Sequence, residues 1–182
     1  MSLFNTQNHW GWVTIFIHWL TAITVIALFI LGLWMVELTY YDSWYRDAPN
    51  IHKSIGLLLF AITLFRILWL SLSIRPGALS SYSQIEQQLA KIVHWALYIL
   101  LFSLMFSGYL ISTADGRAIE LFNWFDVPAI ISGIEGQEDI AGQVHYILAM
   151  SLIVITGIHA MGAIKHHFID KDSTLTRMLG HF

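Results

Sequence analysis

The chain alternates long apolar runs with short polar segments. Four runs stand out, over residues 13–36, 54–74, 92–112 and 144–164. Each holds about the 20 residues that a helix needs to cross a hydrocarbon layer ~30 Å thick. The first run is long, has no small-residue cleavage site after it and contains His18, so we interpret it as a retained helix rather than a signal peptide. The pattern predicts an all-α integral membrane protein built as a four-transmembrane-helix bundle.

Composition supports this prediction and narrows the chemistry. The chain has 182 residues, of which 57% are hydrophobic and only 12% charged, too few charges to solvate a soluble globule of this size. It contains no cysteine, which excludes disulfides, thiolate ligands and iron–sulfur clusters. We expect residues 1–182 to form a single transmembrane domain with lipid around it and no nucleic-acid partner.

The distribution of basic residues predicts the orientation. An even number of spans places both termini on one side of the membrane. The segments on that side carry Arg75, Lys91, Lys165, Lys171 and Arg177. The opposite loops carry Arg46, Lys53 and Arg117 together with nine acidic residues. Because Lys and Arg accumulate on the cytoplasmic side, we expect both termini in the cytoplasm of a bacterial cell with the chain in its inner membrane.

Two histidines in the last apolar run carry most of the functional information. His145 and His159 lie fourteen residues apart. In an α-helix this interval advances the chain by about 21 Å and turns it to within roughly 40° of whole turns, so both imidazoles point the same way. Ionisable side chains inside a bilayer are costly and usually functional. The pair suggests two metal centres, one above the other.

In each of the other spans, a histidine is followed fourteen residues later by a glycine or an arginine. These pairs are His18 and Gly32, His52 and Arg66, and His94 and Gly108. Because successive spans run in opposite directions, these positions sort into two levels. The inner, cytoplasmic level holds His18, Arg66, His94 and His159. The outer level holds Gly32, His52, Gly108 and His145.

Two b haems fit these levels, because a six-coordinate haem needs only two axial ligands from facing helices. At the outer level the histidines are His52 and His145, and the two glycines there would leave room for the macrocycle. At the inner level either His18 or His94 can partner His159. Zinc usually takes four ligands close together, which neither level offers.

Structural roles compete with each of these assignments. A single intramembrane histidine is explained by a hydrogen bond between helices, and Gly32 and Gly108 by close helix packing. Arg66 could pair with a haem propionate, or it could snorkel to the inner surface. His166 and His167 follow Lys165 in a polar tail, for which a solvated basic end is the simplest account. The agreement of several histidines at matching depths favours the haem interpretation.

The residues resemble the bacterial cytochrome b561 family, in the wider group that includes the membrane b-subunits of nickel hydrogenases and formate dehydrogenases. The resemblance covers nearly the whole chain. The matching elements are His18-Trp19, His52-Lys53-Ser54-Ile55-Gly56, His94 with Gly108-Tyr109-Leu110-Ile111-Ser112, the His145/His159 pair, and Lys165-His166-His167-Phe168-Ile169-Asp170-Lys171-Asp172.

The resemblance implies four transmembrane helices that bind two haem b groups. It also implies that His18 rather than His94 ligates opposite His159, which leaves His94 near a propionate or a quinone. Family members exchange electrons with the quinone pool, and superoxide oxidation coupled to quinone reduction is an activity assigned within the family. Many relatives carry a basic residue shortly before the first-helix histidine. The stretch 13–17 has none here, so a propionate contact there is not expected.

The expected function is therefore electron transfer between a periplasmic-side donor or acceptor and the ubiquinone pool, with the activity of a superoxide:ubiquinone oxidoreductase as one form of it. Lys53 and Arg117 are candidate cations for a propionate or for superoxide, although nine acidic residues on that face oppose an anion. One alternative is a membrane anchor that serves a separate periplasmic redox partner. Another is a haem-free scaffold or transporter, although the absence of acidic residues within the spans argues against an ion-coupled transporter.

Overall fold

The computed structural model describes residues 2–77, 79 and 82–180, and this part of the chain contains four long helices, one short helix and a small hairpin. The helices are α1 (Trp12–Met35), α2 (Asp47–Leu72), α3 (Gln84–Ser112), α4 (Gln137–Phe168) and α5 (Thr174–Met178), and the strands are β1 (Ile119–Leu121) and β2 (Phe125–Val127). By length and composition, α1 to α4 are each able to cross a membrane. The prediction of four membrane helices is confirmed.

The long helices begin earlier than the apolar runs indicated. Helices α2, α3 and α4 start at Asp47, Gln84 and Gln137, several residues before the runs at 54, 92 and 144. Their first turns are polar and carry acidic side chains, which the positive end of the helix dipole stabilises. An apolar run therefore marks the part of a helix that suits hydrocarbon, whereas the helix itself continues into the polar interface.

Apolar side chains cover the outside of these helices, and small polar side chains lie inside. Ile23, Ile99 and Val154 are 64%, 60% and 59% exposed. Thr63 and Thr113 are fully buried at 0% exposure. This reverses the usual soluble arrangement and suits helices that pack closely through small residues while lipid covers their outer faces.

The contacts divide the chain into two compact units, and each contains a segment of all four long helices. The first unit consists of Met1–Thr21, Ile62–Ile99 and Leu152–Phe182. The second unit consists of Ala22–Ala61 and Leu100–Ser151.

Both chain ends are held within the first unit. The side chain of Asn5 accepts hydrogen bonds from Gly11 N at 2.8 Å and from Thr14 Oγ1 at 2.7 Å, which fixes the segment that leads into α1. A Cβ atom on Gly11 would lie 2.4 Å from Leu3 O, so the close approach of the two backbones requires glycine. At the other end, the indole of Trp19 donates to Met178 O of α5 at 2.7 Å.

A hairpin in the loop between α3 and α4 belongs to the second unit. We expected short interfacial segments here, and the strands pair antiparallel with Ile119 opposite Val127. Strands of three residues are too short to show the alternation by which strands are predicted. A tertiary contact holds the hairpin, because the hydroxyl of buried Ser54 on α2 donates to Glu120 O at 3.3 Å and accepts from Phe122 N at 3.2 Å.

Candidate functional site

Four predicted residues come together in the second unit, and we call Gly32, His52, Gly108 and His145 the His52 cluster. His52 lies on α2 and His145 on α4. Their ring centroids are 6.2 Å apart, with ring planes inclined at 68°. Both rings are half-buried.

The two glycines make room for the histidine rings themselves. A Cβ atom on Gly32 would lie 3.3 Å from Cε1 of His52, and one on Gly108 would lie 3.1 Å from Cε1 of His145. Both distances are tighter than ordinary contact between side chains. The sequence suggested that these glycines accommodate a macrocycle. In the structure each one faces the edge of an imidazole, so glycine at these positions sets where the ring can lie.

His145 is oriented by the backbone and a hydroxyl of α3. Its Nδ1 lies 3.0 Å from Leu104 O and 3.0 Å from Ser107 Oγ. Because a carbonyl oxygen only accepts, Nδ1 carries the proton and Nε2 keeps its lone pair free for a metal ion. Nδ1 of His52 is buried and has no hydrogen-bond partner within the described part of the chain. Sequence reasoning missed Ser107, whose one signal was its position next to Gly108.

The second set comes together in the first unit, and we call His18, Arg66, His94 and His159 the His18 cluster. The rings of His18 and His159 have centroids 6.3 Å apart, with planes inclined at 74°. The rings of His94 and His159 are closer, at 5.0 Å. Nδ1 of His94 lies 2.6 Å from Ala90 O on its own helix, which fixes the orientation of that ring.

The ring separations test whether a metal fits. A histidine nitrogen binds a metal ion at about 2 Å, so two imidazoles on opposite sides of one ion have ring centroids about 6 Å apart, whereas a tetrahedral angle brings them to about 5 Å. His52 with His145 at 6.2 Å and His18 with His159 at 6.3 Å match this value. His94 with His159 at 5.0 Å is too close for two ligands on opposite sides of one ion. Neither cluster includes a carboxylate. This donor set fits a metal that brings its own equatorial ligands, as haem iron does.

Arg66 contacts His18 in the His18 cluster. Its Nη2 lies 3.0 Å from Nδ1 of His18, and because guanidinium is donor-only, the imidazole nitrogen accepts. Its Cζ lies 5.8 Å from the centroid of the Tyr98 ring. Nε of Arg66 is buried and has no partner among the described residues. Its Nε–H is therefore an unused donor, which a haem propionate would suit.

None of the imidazole contacts described above involves the two other candidate cations, Lys53 and Arg117. Lys53 follows His52 on α2 and is half-buried. Arg117 is exposed and pairs with Asp115, with Nε 2.6 Å from Oδ2. The hydrogen bond from Arg117 lowers the pKa of the Asp115 carboxyl, so the ion pair persists at neutral pH. The charge of Arg117 is thereby largely neutralised, which leaves Lys53 as the better candidate for an anion.

His166 does not lie in a solvated tail, as the sequence suggested. It is half-buried, with Nδ1 2.9 Å from Asp170 Oδ2 and 3.0 Å from Asp172 Oδ2. Glu86, His166 and Asp170 place their ligand atoms within 4.8 Å of one another, a spacing compatible with a metal ion. The ammonium of Lys165 already lies 2.7 Å from Glu86 Oε1 and 2.8 Å from Asp170 Oδ2. We therefore describe these residues as an ionic network at the end of α4.

Known proteins resemble this chain over almost its full length. A sequence model of the prokaryotic cytochrome b561 family matches residues 9–181. Cytochrome b561 homolog 2 of Escherichia coli (strain K12) is 52% identical over 180 residues, which cover 99% of this chain and 96% of the relative. A protein of Yersinia pestis named "Probable superoxide oxidase CybB" is 29% identical over 172 residues, 90% of this chain and 91% of the relative. Cytochrome b561 homolog 1 of E. coli is 24% identical over 177 residues, 95% and 98% of the two chains.

Proposed function

Because the chain belongs to the prokaryotic cytochrome b561 family, we propose that it is a dihaem b-type cytochrome that carries electrons between the periplasmic face of the inner membrane and the ubiquinone pool. Because it is a member of this family with four helices long enough to cross a membrane, the chain is a multi-pass membrane protein that binds haem b and takes part in electron transport. The number of haems, their ligands and the reactants are our proposal. The observation that carries it is the pair of ring separations, 6.2 and 6.3 Å, in two separate histidine clusters.

We propose that His52 and His145 would hold the iron of one haem, and His18 and His159 that of the other. The separation of 5.0 Å between His94 and His159 supports a neighbouring role for His94, beside a propionate or a quinone. Lys53 and Arg66 are the proposed cations for propionates, Lys53 from its place next to His52 and Arg66 from its unused buried donor.

When bound, haem b supplies a one-electron redox centre. The residues of the chain hold and tune it. Leu104 O and Ser107 Oγ contact Nδ1 of His145 and would hold its ring with Nε2 free to bind iron. Gly32 and Gly108 would allow the imidazoles of the His52 cluster to keep these positions, because a side chain at either glycine would press on the edge of a ring. Apolar helix surfaces keep water away and lower the local dielectric constant.

The proposed orientation rests on the excess of Lys and Arg on the terminal side. It assigns the His52 cluster to the periplasmic half of the membrane and the His18 cluster to the cytoplasmic half. Ubiquinone would then exchange electrons at the His18 cluster, where His94 contributes an additional polar side chain.

Superoxide is the donor that the Yersinia relative's name suggests. Two superoxide anions would each give up one electron to become O2, and one ubiquinone would take up the two electrons with two protons to become ubiquinol. This makes the protein a superoxide:ubiquinone oxidoreductase. Lys53 is the cation placed to attract the anion, since Arg117 is paired with Asp115.

A second function is favoured by the acidic character of the same face. Nine acidic residues on the loops opposite the termini repel an anionic reactant and suit a basic partner protein. In that case the chain is the membrane anchor that passes electrons from a periplasmic redox protein to ubiquinone.

The haem content of the purified protein tests the proposal at its base. After expression with sufficient haem, we expect a reduced-minus-oxidised spectrum of b type and two haems per chain by the pyridine haemochromogen assay. One haem per chain would contradict the dihaem assignment. No b-type absorption would leave the haem-free scaffold or transporter as the better account.

Stopped-flow kinetics separates the two candidate functions. The oxidised protein is mixed with superoxide, with ubiquinol or with a reduced periplasmic redox protein, and haem reduction is followed by absorbance. Fast reduction by superoxide, followed by reoxidation by ubiquinone, supports the oxidoreductase. Slow reduction by superoxide and fast reduction by the protein donor supports the anchor.

A further inference from the structure

The two proposed haem sites match in ring separation but differ in what touches the second nitrogen of a ligand histidine. Nδ1 of His145 faces two neutral oxygen atoms, Leu104 O and Ser107 Oγ, each at 3.0 Å. Nδ1 of His18 faces the guanidinium of Arg66 at 3.0 Å. One ligand therefore meets hydrogen-bond acceptors and the other meets a positive charge.

The contact at the second nitrogen controls how strongly a histidine donates electrons to iron. When one nitrogen of a neutral imidazole binds a metal, the single proton is on the other. An acceptor at that proton increases the basicity of the ligand and favours the more positive, oxidised iron. A cation has the opposite effect, because it repels both the proton and the oxidised metal.

At the His52 cluster the contacts stabilise oxidised iron. The carbonyl of Leu104 can only accept, and Ser107 Oγ donates its own proton to that carbonyl at 2.8 Å. Its remaining lone pairs accept from His145. Both oxygens therefore strengthen His145 as a ligand, and this lowers the midpoint potential of the haem it binds.

At the His18 cluster the charge of Arg66 stabilises reduced iron. The guanidinium of Arg66 keeps its charge and is donor-only, so it cannot accept the proton that His18 carries at Nδ1 when iron takes Nε2. Arg66 must then release Nδ1. Its charge stays near the ligand, because Arg66 is fixed to α2 through its backbone and no acidic residue in the apolar runs can neutralise it. Pairing with a propionate also favours the reduced state, since it cancels a negative charge near the iron.

We propose that Arg66 gives the haem of the His18 cluster a higher midpoint potential than the haem of the His52 cluster. An electron that enters at the His52 cluster then rests at equilibrium on the His18 cluster. The residue acts through His18 and the surrounding charge, so it is a positioning residue. This inference rests on the proposed dihaem function and adds the direction that electron transfer favours.

A redox titration of the purified dihaem protein, followed by absorbance, measures both potentials. The His145→Ala variant, which retains only the haem of the His18 cluster, identifies that haem's transition. We expect the identified transition to be the one at higher potential in the full protein. If it is the lower of the two, the proposal is overturned. A protein that binds no haem, or only one, contradicts the dihaem proposal instead, so the two failures are distinguishable.

Charge-changing variants test the role of Arg66 itself. We expect Arg66→Gln to shift the electron equilibrium away from the His18 cluster at least tenfold, about 59 mV for one electron. Arg66→Lys keeps a positive charge and should restore most of this preference. An unchanged potential in Arg66→Gln, or an equal loss in Arg66→Lys and Arg66→Gln, overturns the electrostatic role.

Ser107→Ala supplies a matched change at the other site that does not depend on how well Arg66→Gln folds. It removes one of two acceptors at His145 and leaves Leu104 O in place. We expect the potential of the His52-cluster haem to rise while the other haem keeps its value. A fall, or a shift of both haems together, contradicts the inference that contacts at the second nitrogen set the difference.

Discussion

His159 has two histidine neighbours that lie at different distances. The ring of His18 is 6.3 Å away, which suits a metal ion between two opposed imidazoles, and the ring of His94 is 5.0 Å away, which is too short for that arrangement. Nδ1 of His94 also lies 2.6 Å from Ala90 O, so moving its ring away from His159 breaks a hydrogen bond. The geometry around His159 thus supports His18, the ligand that the family resemblance also implies.

Alanine variants of these two histidines should differ in haem content. We expect His18→Ala to lose one of two haems, because the remaining ligand of that haem has no partner at binding distance. His94→Ala should keep both, with an altered reaction toward quinone. The pyridine haemochromogen assay, normalised to protein, gives haems per chain. Loss of a haem in His94→Ala with retention in His18→Ala would reverse the assignment.

Two helix glycines offer a matched pair for testing the packing around His145. A Cβ atom on Gly108 lies 3.1 Å from Cε1 of His145, whereas one on Gly162 meets nothing within 4 Å. Overpacking costs about 1–3 kcal/mol, while replacing a helix glycine by alanine gains roughly 0.5–1 kcal/mol. We expect Gly108→Ala to lower the thermal midpoint and the haem content, and Gly162→Ala to leave both equal or higher. Equal behaviour of the two variants would show that the ring of His145 moves freely.

Helix α4 supplies one histidine to each cluster and is fixed by polar contacts at both of its ends. At its start, Gln137 donates from Nε2 to Leu110 O at 2.9 Å. At its end, His166 lies between two aspartates that follow the helix. A helix that is apolar along most of its length can slide or rotate at little cost in lipid. These terminal contacts fix the helix, and with it the positions of His145 and His159.

Asp172 is the most buried carboxylate of the ionic network at the end of α4, with 8% of its side chain exposed. We expect its replacement to loosen the chain that follows α4. Burial acts to raise its pKa, but hydrogen bonds from Thr174 and the neighbouring His166 outweigh it, so the pKa lies below the ordinary 3.8. A depressed pKa contributes stability that is fully present above 3.8 and disappears as the pH falls through the folded-state value.

We therefore expect Asp172→Asn to lose about 1 kcal/mol at pH 7, the typical net value of a hydrogen bond. Thermal unfolding and limited proteolysis of the C-terminal segment measure this loss. The difference from wild type should shrink as the pH falls below 3.8. Glu135→Gln, which changes an exposed carboxylate in the loop before α4, is the control and should change neither measurement. A constant difference at all pH values would mean that the charge of Asp172 is not what stabilises the segment.

The whole molecule carries its apolar side chains outward along all four long helices, which is the arrangement that a lipid environment requires. Apart from Arg66, the charged side chains lie in the connections and near the helix ends. Their unequal distribution between the two sets of connections is what supports termini in the cytoplasm. The side on which each proposed haem reacts depends on this orientation.

Single cysteines can test the orientation, because the natural chain has none. Arg75 and Glu135 are both exposed and lie in connections on opposite sides of the proposed membrane. With a membrane-impermeant maleimide, we expect Glu135→Cys to react in intact spheroplasts and Arg75→Cys to react only after lysis. The cysteine-free parent is the control. The reverse pattern would place the termini outside the cytoplasm.

Much of the fold was predictable because the signals are local. A run of about 20 apolar residues identifies a membrane helix without reference to any other part of the chain. The polar starts of α2 and α4 were missed because helix continues where hydropathy falls. The hairpin was missed because Ser54, far away in sequence, holds it through Glu120 O and Phe122 N.

By itself, the sequence determined which residues share a depth in the bundle. In a regular helix, rise and turn per residue convert an interval such as that between His145 and His159 into a distance and a direction. Only the tertiary structure decided which side chains touch across helices. These contacts depend on how each helix is rotated and packed against its neighbours. Examples are the contact of Arg66 with His18, that of Ser107 with His145, and the different ring separations around His159. The interval along one helix does not specify that rotation.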